Sequence, residues 1–507
     1  MKRLSIFFTA ALALFSLVLS SCDDDDCPNP LADSNGTLNI STTELTFAVD
    51  GGTASFTVNG GTAFVRSEAE WLTVERISGD NHASTFAVTC GKNDGEDRTG
   101  TILANLDGAF SRITVTQAGK IVKPDVEYSF RTAKELARDM YPGWNLGNTL
   151  EASGNGLGAE TAWQGTKTTQ AIIDYVKSQG FRSVRIPCSW DIHATDGRID
   201  AGWMNRVKEV VDYCINAGLY VVLNDHWDGG WIEVEGFSKS SDKYVAVDEE
   251  TITAKATQLK DYWTQIATAF KNYDEHLIFA GQNEPFQNYT LFNSRHKELT
   301  PILNRYNQAF VDAVRATGGN HARRTLVVQG PATSTSSAVD PDMGFVMPED
   351  KEEGYMMAEV HYYEPWDFCG LEDGSATWFW GSGNHVSGSS HNATWGEEQW
   401  MQNQMQSLKT TFVDRGYPVI IGEYGAQWRS LTANQSEHDA SVKAFFRDIN
   451  RLAVNSGIVT FAWDINSPNQ GGETGVMTIL NRSSLSVFCA PAMEGITEGV
   501  KAGSWPQ

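Results

Sequence analysis

From residue 128 onward, eight short apolar runs recur, at 143–146, 183–186, 220–223, 277–280, 325–328, 357–360, 418–421 and 458–462. A run that is apolar on both faces must be covered on both sides, as a parallel strand is when helices pack above and below it. Helical periodicity fills intervals near 168–179, 203–216, 251–272, 301–316, 398–414 and 437–453. This repeated alternation predicts an α/β fold, a (β/α)8 barrel over residues 128–507 with long loops after its strands. A doubly wound open sheet fits the same alternation, but no Gly-x-Gly-x-x-Gly follows the first strand.

The chain ahead of that segment has a different rhythm. Alternating runs at 45–49, 54–58, 85–88, 101–104 and 113–116 are separated by Asp50-Gly51-Gly52, Asn59-Gly60-Gly61 and Asp94-Gly95. Period-two alternation with regular turns predicts a small all-β, immunoglobulin-like sandwich over 37–119, joined to the barrel by a linker at 120–127. The elements Glu44-Leu45-Thr46-Phe47, Glu70-Trp71-Leu72, Arg98-Thr99-Gly100-Thr101-Ile102 and Ile113 to Gly119 resemble the BACON domain. The domain's name implies carbohydrate binding. Trp71 is the only tryptophan there and reads as core, so a spacer is the expected role.

The first 21 residues read as an export signal, with Lys2 and Arg3 ahead of an apolar stretch from Ile6 to Leu19. Leu19-Ser20-Ser21-Cys22 resembles the lipobox of bacterial lipoproteins, which implies a lipidated Cys22 and attachment without a span. Residues 22–36 form an acidic tether, and Asp23 to Asp26 beside that cysteine resemble a signal for the outer face of the outer membrane. The expected location is therefore a lipid-anchored, surface-exposed one. The other six cysteines show no CxxC pair; export would permit disulfides, but the spacing names none, and most of the six read as buried thiols. A net charge of −24 argues against nucleic acid as a partner.

Polar residues gather where the barrel strands end, the face on which such barrels do chemistry. Arg185 is placed after the second strand, Asn224-Asp225-His226-Trp227 after the third and Gln282-Asn283-Glu284-Pro285 after the fourth. His361-Tyr362-Tyr363, Gly422-Glu423-Tyr424-Gly425 and Trp463-Asp464 follow the last three. Two carboxylates thus converge from different strands, as glycoside hydrolysis requires: one protonates the leaving oxygen while the other attacks or activates water. Such a pair needs no metal or cofactor, and the sequence has no His-Glu-x-x-His or Gly-x-Ser-x-Gly.

Gly143 to Glu151, Val184-Arg185-Ile186-Pro187, Asn283-Glu284-Pro285, His361-Tyr362-Tyr363, Ile421 to Gly425 and Ala462-Trp463-Asp464 resemble glycoside hydrolase family 5, and within it subfamily 4. The resemblance implies a retaining endo-β-1,4-glycanase acting on β-glucan polysaccharide. Xyloglucan is the favoured substrate, then cellulose-like or mixed-linkage glucan, with xylan or mannan as the alternative. A non-catalytic glycan-binding lipoprotein is the reading from another class. By position, Glu284 is implied as the general acid/base and Glu423 as the nucleophile. The resemblance likewise implies that Arg185 keeps Glu423 ionised, that Tyr363 hydrogen-bonds it and that Asn283 binds the sugar 2-hydroxyl. His226 and His361 match family positions that place sugar and carboxylates, and Trp463 matches the platform beneath the sugar. Trp227 departs from the pattern, many members having a second histidine there. Loop tryptophans at 163, 227, 231, 366, 378, 380, 395 and 428 divide between sugar contact and packing.

Overall fold

The computed structural model describes residues 38–506 except 94, 96, 107–108, 120–125, 155, 234–247 and 287–288. The export signal, Cys22, the tether and most of the linker lie outside the described residues. The chain divides into two units on either side of the 122/123 boundary.

The first unit is a sandwich. Glu44–Phe47, Ala109–Gln117, Arg98–Leu106 and Phe64–Ser67 form one sheet in that order, and Gly52–Asn59, Ala83–Cys90 and Leu72–Gly79 form the other. The alternation works as expected. Phe56, Val58, Phe86, Val88, Ile102, Ala104, Ile113 and Val115 point inward and fill the space between the sheets. Trp71 packs at the edge of this core under the Arg98 guanidinium, which stands 4.2 Å from its ring centre. The buried Gln117 accepts from Arg98 and donates to the carbonyls of Ala48, Val49 and Gly91, pinning the last strand.

The second unit is a closed barrel of eight parallel strands. In chain order they are Gly143–Asn145, Ser183–Ile186, Tyr220–Asn224, Leu277–Ala280, Leu326–Ser334, Met356–Tyr362, Val419–Tyr424 and Ile458–Ala462. Two apolar layers result from the two-residue period. Val184, Val221, Leu223, Val328, Val360, Tyr362, Ile421 and Tyr424 face the helices. Val222, Ile278, Ala280, Val327, Met357, Ile420, Val459 and Phe461 fill the lower interior.

Helix Ala133–Met140 closes the bottom of the barrel. Its start is set by a capping box between Thr132 and Glu135, and Ala133, Leu136, Ala137 and Met140 turn into the barrel. Helices Gln170–Ser178, Ala201–Asn216, Glu249–Ala269, Glu398–Thr411 and Gln435–Ser456 match the expected intervals. The helix expected at 301–316 is longer, running Tyr289–Ala316 with Pro301 inside it. The last helix, Ala490–Ala502, was not anticipated. It packs on Gln435–Ser456 through Gly495 and Gly499, where a Cβ would meet the Lys443 and Arg447 carbonyls at 2.5 and 2.3 Å. Among the described residues no helix is long and apolar enough to cross a membrane.

Candidate active site

Above the apolar floor, the same inward-facing positions change character. Along the sixth strand Met357 lies in the floor, while Glu359, His361 and then Tyr363 climb toward the mouth at two-residue steps. In the second strand Arg185 occupies the inward position between Val184 and Ile186. It is therefore inside the strand and wholly buried, not after the strand as the sequence suggested.

The seventh strand needs a further device. Ile420 points inward, so plain alternation would send Glu423 outward. The pairing with the sixth strand slips instead: Val360 pairs with Ile421, and His361 pairs with Glu423, leaving Gly422 as the extra residue of a bulge. A bulge re-aims the side chain beyond it, and here it turns Glu423 into the mouth. Only glycine fits at 422, because a Cβ would stand 1.8 Å from the Glu359 carboxylate.

These positions build a buried charge cluster. The Arg185 guanidinium donates to Glu423 Oε1 at 3.0 Å, Asn145 Oδ1 at 3.0 Å and Asn283 Oδ1 at 2.6 Å, and its Nε lies 3.0 Å from Glu359 Oε1. The Tyr363 hydroxyl donates to the other Glu423 oxygen at 3.0 Å. His361 reaches Glu284 through Nδ1 at 2.8 Å and Glu359 through Nε2 at 3.3 Å. Gln329 donates to the remaining Glu359 oxygen at 2.6 Å. Oxygens of Glu284 and Glu423 lie within 4.8 Å of each other.

The electrostatics follow from burial and pairing. Burial disfavours the imidazolium of His361, but Glu423, Glu284 and Glu359 around it outweigh that and lift its pKa to about 9. Both ring nitrogens therefore carry protons near neutrality and donate to carboxylates. Burial raises Glu359, yet Arg185 and His361 bring it below the ordinary carboxylate value. Glu423 is pushed upward by burial and by the charge of Glu284, against the pull of His361, Arg185 and Tyr363. Burial, and then the carboxylates beside it, raise the Tyr363 phenol far above its usual range, so it stays a donor. Three carboxyls face two cations, and in a water-poor site that count is balanced when one carboxyl keeps a proton.

The remaining expected residues surround this cluster. Asn283 gives its carbonyl oxygen to Arg185, which leaves the amide hydrogens as its donors, and its backbone carbonyl accepts from Thr333 at 2.7 Å. Thr333 and its neighbour Ala332 both have positive φ, a strained local backbone at the end of the fifth strand. His226 lies 3.3 Å from Asn224 and stacks nearly parallel to Trp463. Burial and the charges of Arg185 and His361 keep it neutral. Trp463 is half-buried, and Gly147 lies so close beneath its ring that a Cβ would approach to 3.2 Å. Trp227 is exposed.

Glu284, His361 and Glu423 are also the group among the described residues whose ligand atoms could converge on a cation. Those atoms are already bonded within the cluster, and Arg185 brings a positive charge to Glu423. The donor set suits a proton and a sugar better than a metal ion.

Sequence reasoning passed over Glu359 and gave Asn145 and Asp464 no role. Glu359 lies within the run at 357–360 and was read there as strand. A charged residue two positions before His361 in an apolar run was the available signal. Asn145 bridges the first strand to the carbonyls of Gly422 and Phe461. Asp464 accepts from the Trp144 indole at 2.9 Å and from the Leu480 amide, tying the eighth strand to the first. Of the loop tryptophans, Trp380 is core, Trp378 stacks on His391, and Trp231 and Trp428 pack edge-on against Tyr262 and Phe488. Trp163, Trp227, Trp366 and Trp395 remain exposed. The five described cysteines, Cys90, Cys188, Cys214, Cys369 and Cys489, are free and buried; Cys22 and Cys27 lie outside the described residues.

Comparison with known proteins agrees with this geometry. Residues 149–469 match the model of cellulase, glycosyl hydrolase family 5, and residues 37–120 match that of the viral BACON domain. A xyloglucan-specific β-1,4-glucanase of this family from a ruminal metagenomic library, solved with the oligosaccharide XXLG, is 60% identical. The match covers 74% of this chain and 98% of that one, with a TM-score of 0.70. A Bacteroides ovatus family 5 xyloglucanase bound to a XXXG heptasaccharide is 26% identical, covering 92% of this chain and 100% of that one at a TM-score of 0.65. Endoglucanase A of Paenibacillus barcinonensis is 34% identical over 389 residues, 73% of this chain and 90% of that protein. The chain belongs to glycosyl hydrolase family 5.

Proposed function

We propose that this protein is a retaining endo-β-1,4-glucanase whose favoured substrate is xyloglucan, ahead of cellulose-like and mixed-linkage glucans. The observation that carries the mechanism is the spacing of Glu284 and Glu423, whose oxygens lie within 4.8 Å. Carboxyl groups about 5–5.5 Å apart suit double displacement, whereas inversion needs room for a water between them. Xyloglucan is favoured because the 60% identical relative is xyloglucan-specific.

In this reading Glu423 attacks the anomeric carbon and Glu284 gives its proton to the departing glycosidic oxygen. The ester is then opened by a water that loses its proton to Glu284. Arg185 and Tyr363 each hold one oxygen of Glu423, which favours its ionised form against burial. When the ester forms, Arg185 keeps Glu359 as its counter-charge, so no buried cation is stranded. Glu284 must carry a proton when the substrate binds; it is the most exposed of the three carboxyls, open to exchange with solvent, and one of its oxygens contacts His361 Nδ1 at 2.8 Å. The Asn283 amide is aimed to donate to the sugar 2-hydroxyl, and Trp463 offers a flat apolar face below the ring.

The test is a panel of purified polysaccharides with product sizing and detection of the first-formed anomer. Mid-chain cleavage of xyloglucan with β-anomer products supports the proposal; α-anomer products or single-residue release would refute it.

The lipobox at Cys22 and the acidic run behind it support attachment to the outer membrane facing outward, with the sandwich as spacer. Labelling by fatty acid that disappears in Cys22→Ala, and protease access on intact cells, check this placement.

A further inference from the structure

The sandwich carries an asymmetry that the cleavage chemistry does not use. Among its described residues, three large apolar side chains are left exposed: Phe64 at 68%, Phe110 at 60% and Ile77 at 58%. All three stand at one end of the unit. Phe64 opens its strand, Phe110 is the second residue of Ala109–Gln117, and Ile77 lies two residues before the end of Leu72–Gly79. Contacts across the two sheets show that these ends coincide. The Gly60 amide donates to the His82 carbonyl at 2.7 Å, in the turn that follows Leu72–Gly79. A Cβ on Gly60 or Gly61 would stand 3.3 Å from the Leu106 side chain, at the end of Arg98–Leu106. Strand pairing sets Phe64, Asn105 and Phe110 in one outward row, with Arg66, Leu103 and Arg112 in the next. Two strand spacings, roughly 10 Å, separate Phe64 from Phe110. Arg66 and Arg112 each reach Glu68 at 3.4 Å.

The same end is where the chain enters the sandwich. The Asn59 amide donates to the Asn39 carbonyl at 2.8 Å, and the two side chains meet at 3.2 Å, which places Asn39 beside Gly60. The chain leaves from the opposite end, at Gln117, roughly 23 Å along the strand from Phe110. Sixteen positions separate Cys22 from Leu38. A chain of that length reaches at most about 55 Å however it runs. Exposed apolar residues scattered singly are ordinary, but three gathered at the tethered end, two of them in one row, mark a contact surface.

We propose that Phe64, Phe110 and Ile77 form a lipid-facing tip by which the sandwich rests on the bilayer that holds Cys22. The inference rests on the proposed lipidation of Cys22 and adds to it a second point of attachment. Apolar side chains at such a surface enter the boundary between headgroups and acyl chains. Arg66 and Arg112, one row back, have the reach to place their guanidinium groups among headgroup phosphates. A tip of this size binds weakly by itself. The anchor turns its binding into an intramolecular event at high effective concentration, so a weak contact stays occupied. The sandwich is then a stand seated on the membrane, with the end that leads on to the barrel turned away from the lipid.

The experiment uses the full acylated chain carrying Cys27→Ser, in which the described cysteines are buried and Cys22 is taken by lipid. An environment-sensitive fluorophore is placed on Asn105→Cys, between the two rings, and in a second protein on Thr116→Cys, on the same face near the opposite end. In vesicles of phosphatidylethanolamine and phosphatidylglycerol the label at 105 should brighten severalfold and shift to the blue, relative to the Cys22→Ala chain in buffer. The label at 116 should not change. Adding Phe64→Ser and Phe110→Ser should abolish the response at 105 while the protein still floats with the vesicles, melts as before and keeps its kcat on soluble polymer. A label at 105 that stays water-like in vesicle-bound, acylated protein overturns the tip, as does an equal response in the double serine variant. Brightening on soluble β-glucan without vesicles would make the row a sugar platform and overturns it too. A wild-type chain that takes up no fatty acid and does not float with vesicles would instead remove the anchor at Cys22, and the tip with it.

Discussion

The two ends of the barrel are made by the same strands and obey opposite rules. At the bottom, Leu136, Met140, Met357, Ile420 and Phe461 meet in an apolar floor under a capped helix. At the mouth, the next inward positions of those strands hold Arg185, Glu359, His361 and Glu423, nearly all out of water. Burying apolar surface stabilises at about 25 cal/mol per Å². Burying charges costs several kcal/mol per ion, which pairing only partly offsets. The fold therefore draws its stability from one end and uses it to hold an expensive arrangement at the other.

The largest break in this contrast is expected from Glu423→Ala. Hydrolysis should fall by at least about 10⁴-fold while thermal stability holds or rises, since a buried carboxyl is gone. Kinetics on polymer alongside a melting curve decide it, and substantial residual turnover counts against Glu423. Gly422→Ala comes next. The added carbon must displace Glu359 or Glu423, and a shift of about 1 Å in reacting groups can cost about 10²-fold in rate. A loss confined to kcat locates the damage at the bulge.

Leu136→Ala sharpens the comparison from the other side. It should cost about 2–5 kcal/mol of stability by denaturant unfolding, with kcat unchanged at a temperature where the variant is folded. A fall in kcat would mean that the floor and the mouth are not separate. The gentlest probe is pH. The folded-state pKa of His361, about 9, lies above its ordinary 6.5. Its contribution to stability is complete below about 6.5 and is lost as pH rises toward 9. Melting temperature should decline across that window in wild type and less steeply in His361→Gln.

Much of this contrast was legible in the sequence, and the gaps have physical causes. The carboxylates, His361, Tyr363 and Arg185 stood out because chemistry-bearing residues followed or interrupted apolar runs. Glu359 was hidden because a run rich in Met, Ala and Val reads as covered strand, and pattern alone does not reveal a polar layer inside a barrel. Gly422 carries no side chain to read, and a bulge shows only once two strands are paired. The helical pattern read near 301–316 is the C-terminal part of a longer helix, Tyr289–Ala316, that runs through Pro301. The sandwich strands Phe64–Ser67 and Leu72–Gly79 escaped notice because they alternate weakly, with much of each exposed.

The contact between Gly422 and Glu359 has a practical consequence for anyone recombining pieces of such enzymes. A seventh strand taken from a donor with any larger residue at that place would collide with a retained Glu359. A donor sixth strand lacking the carboxylate would leave a hole beside Arg185. The two segments, whose contacting residues are 63 positions apart in the chain, must travel together as one cassette, and crossovers placed between them should yield mostly dead progeny.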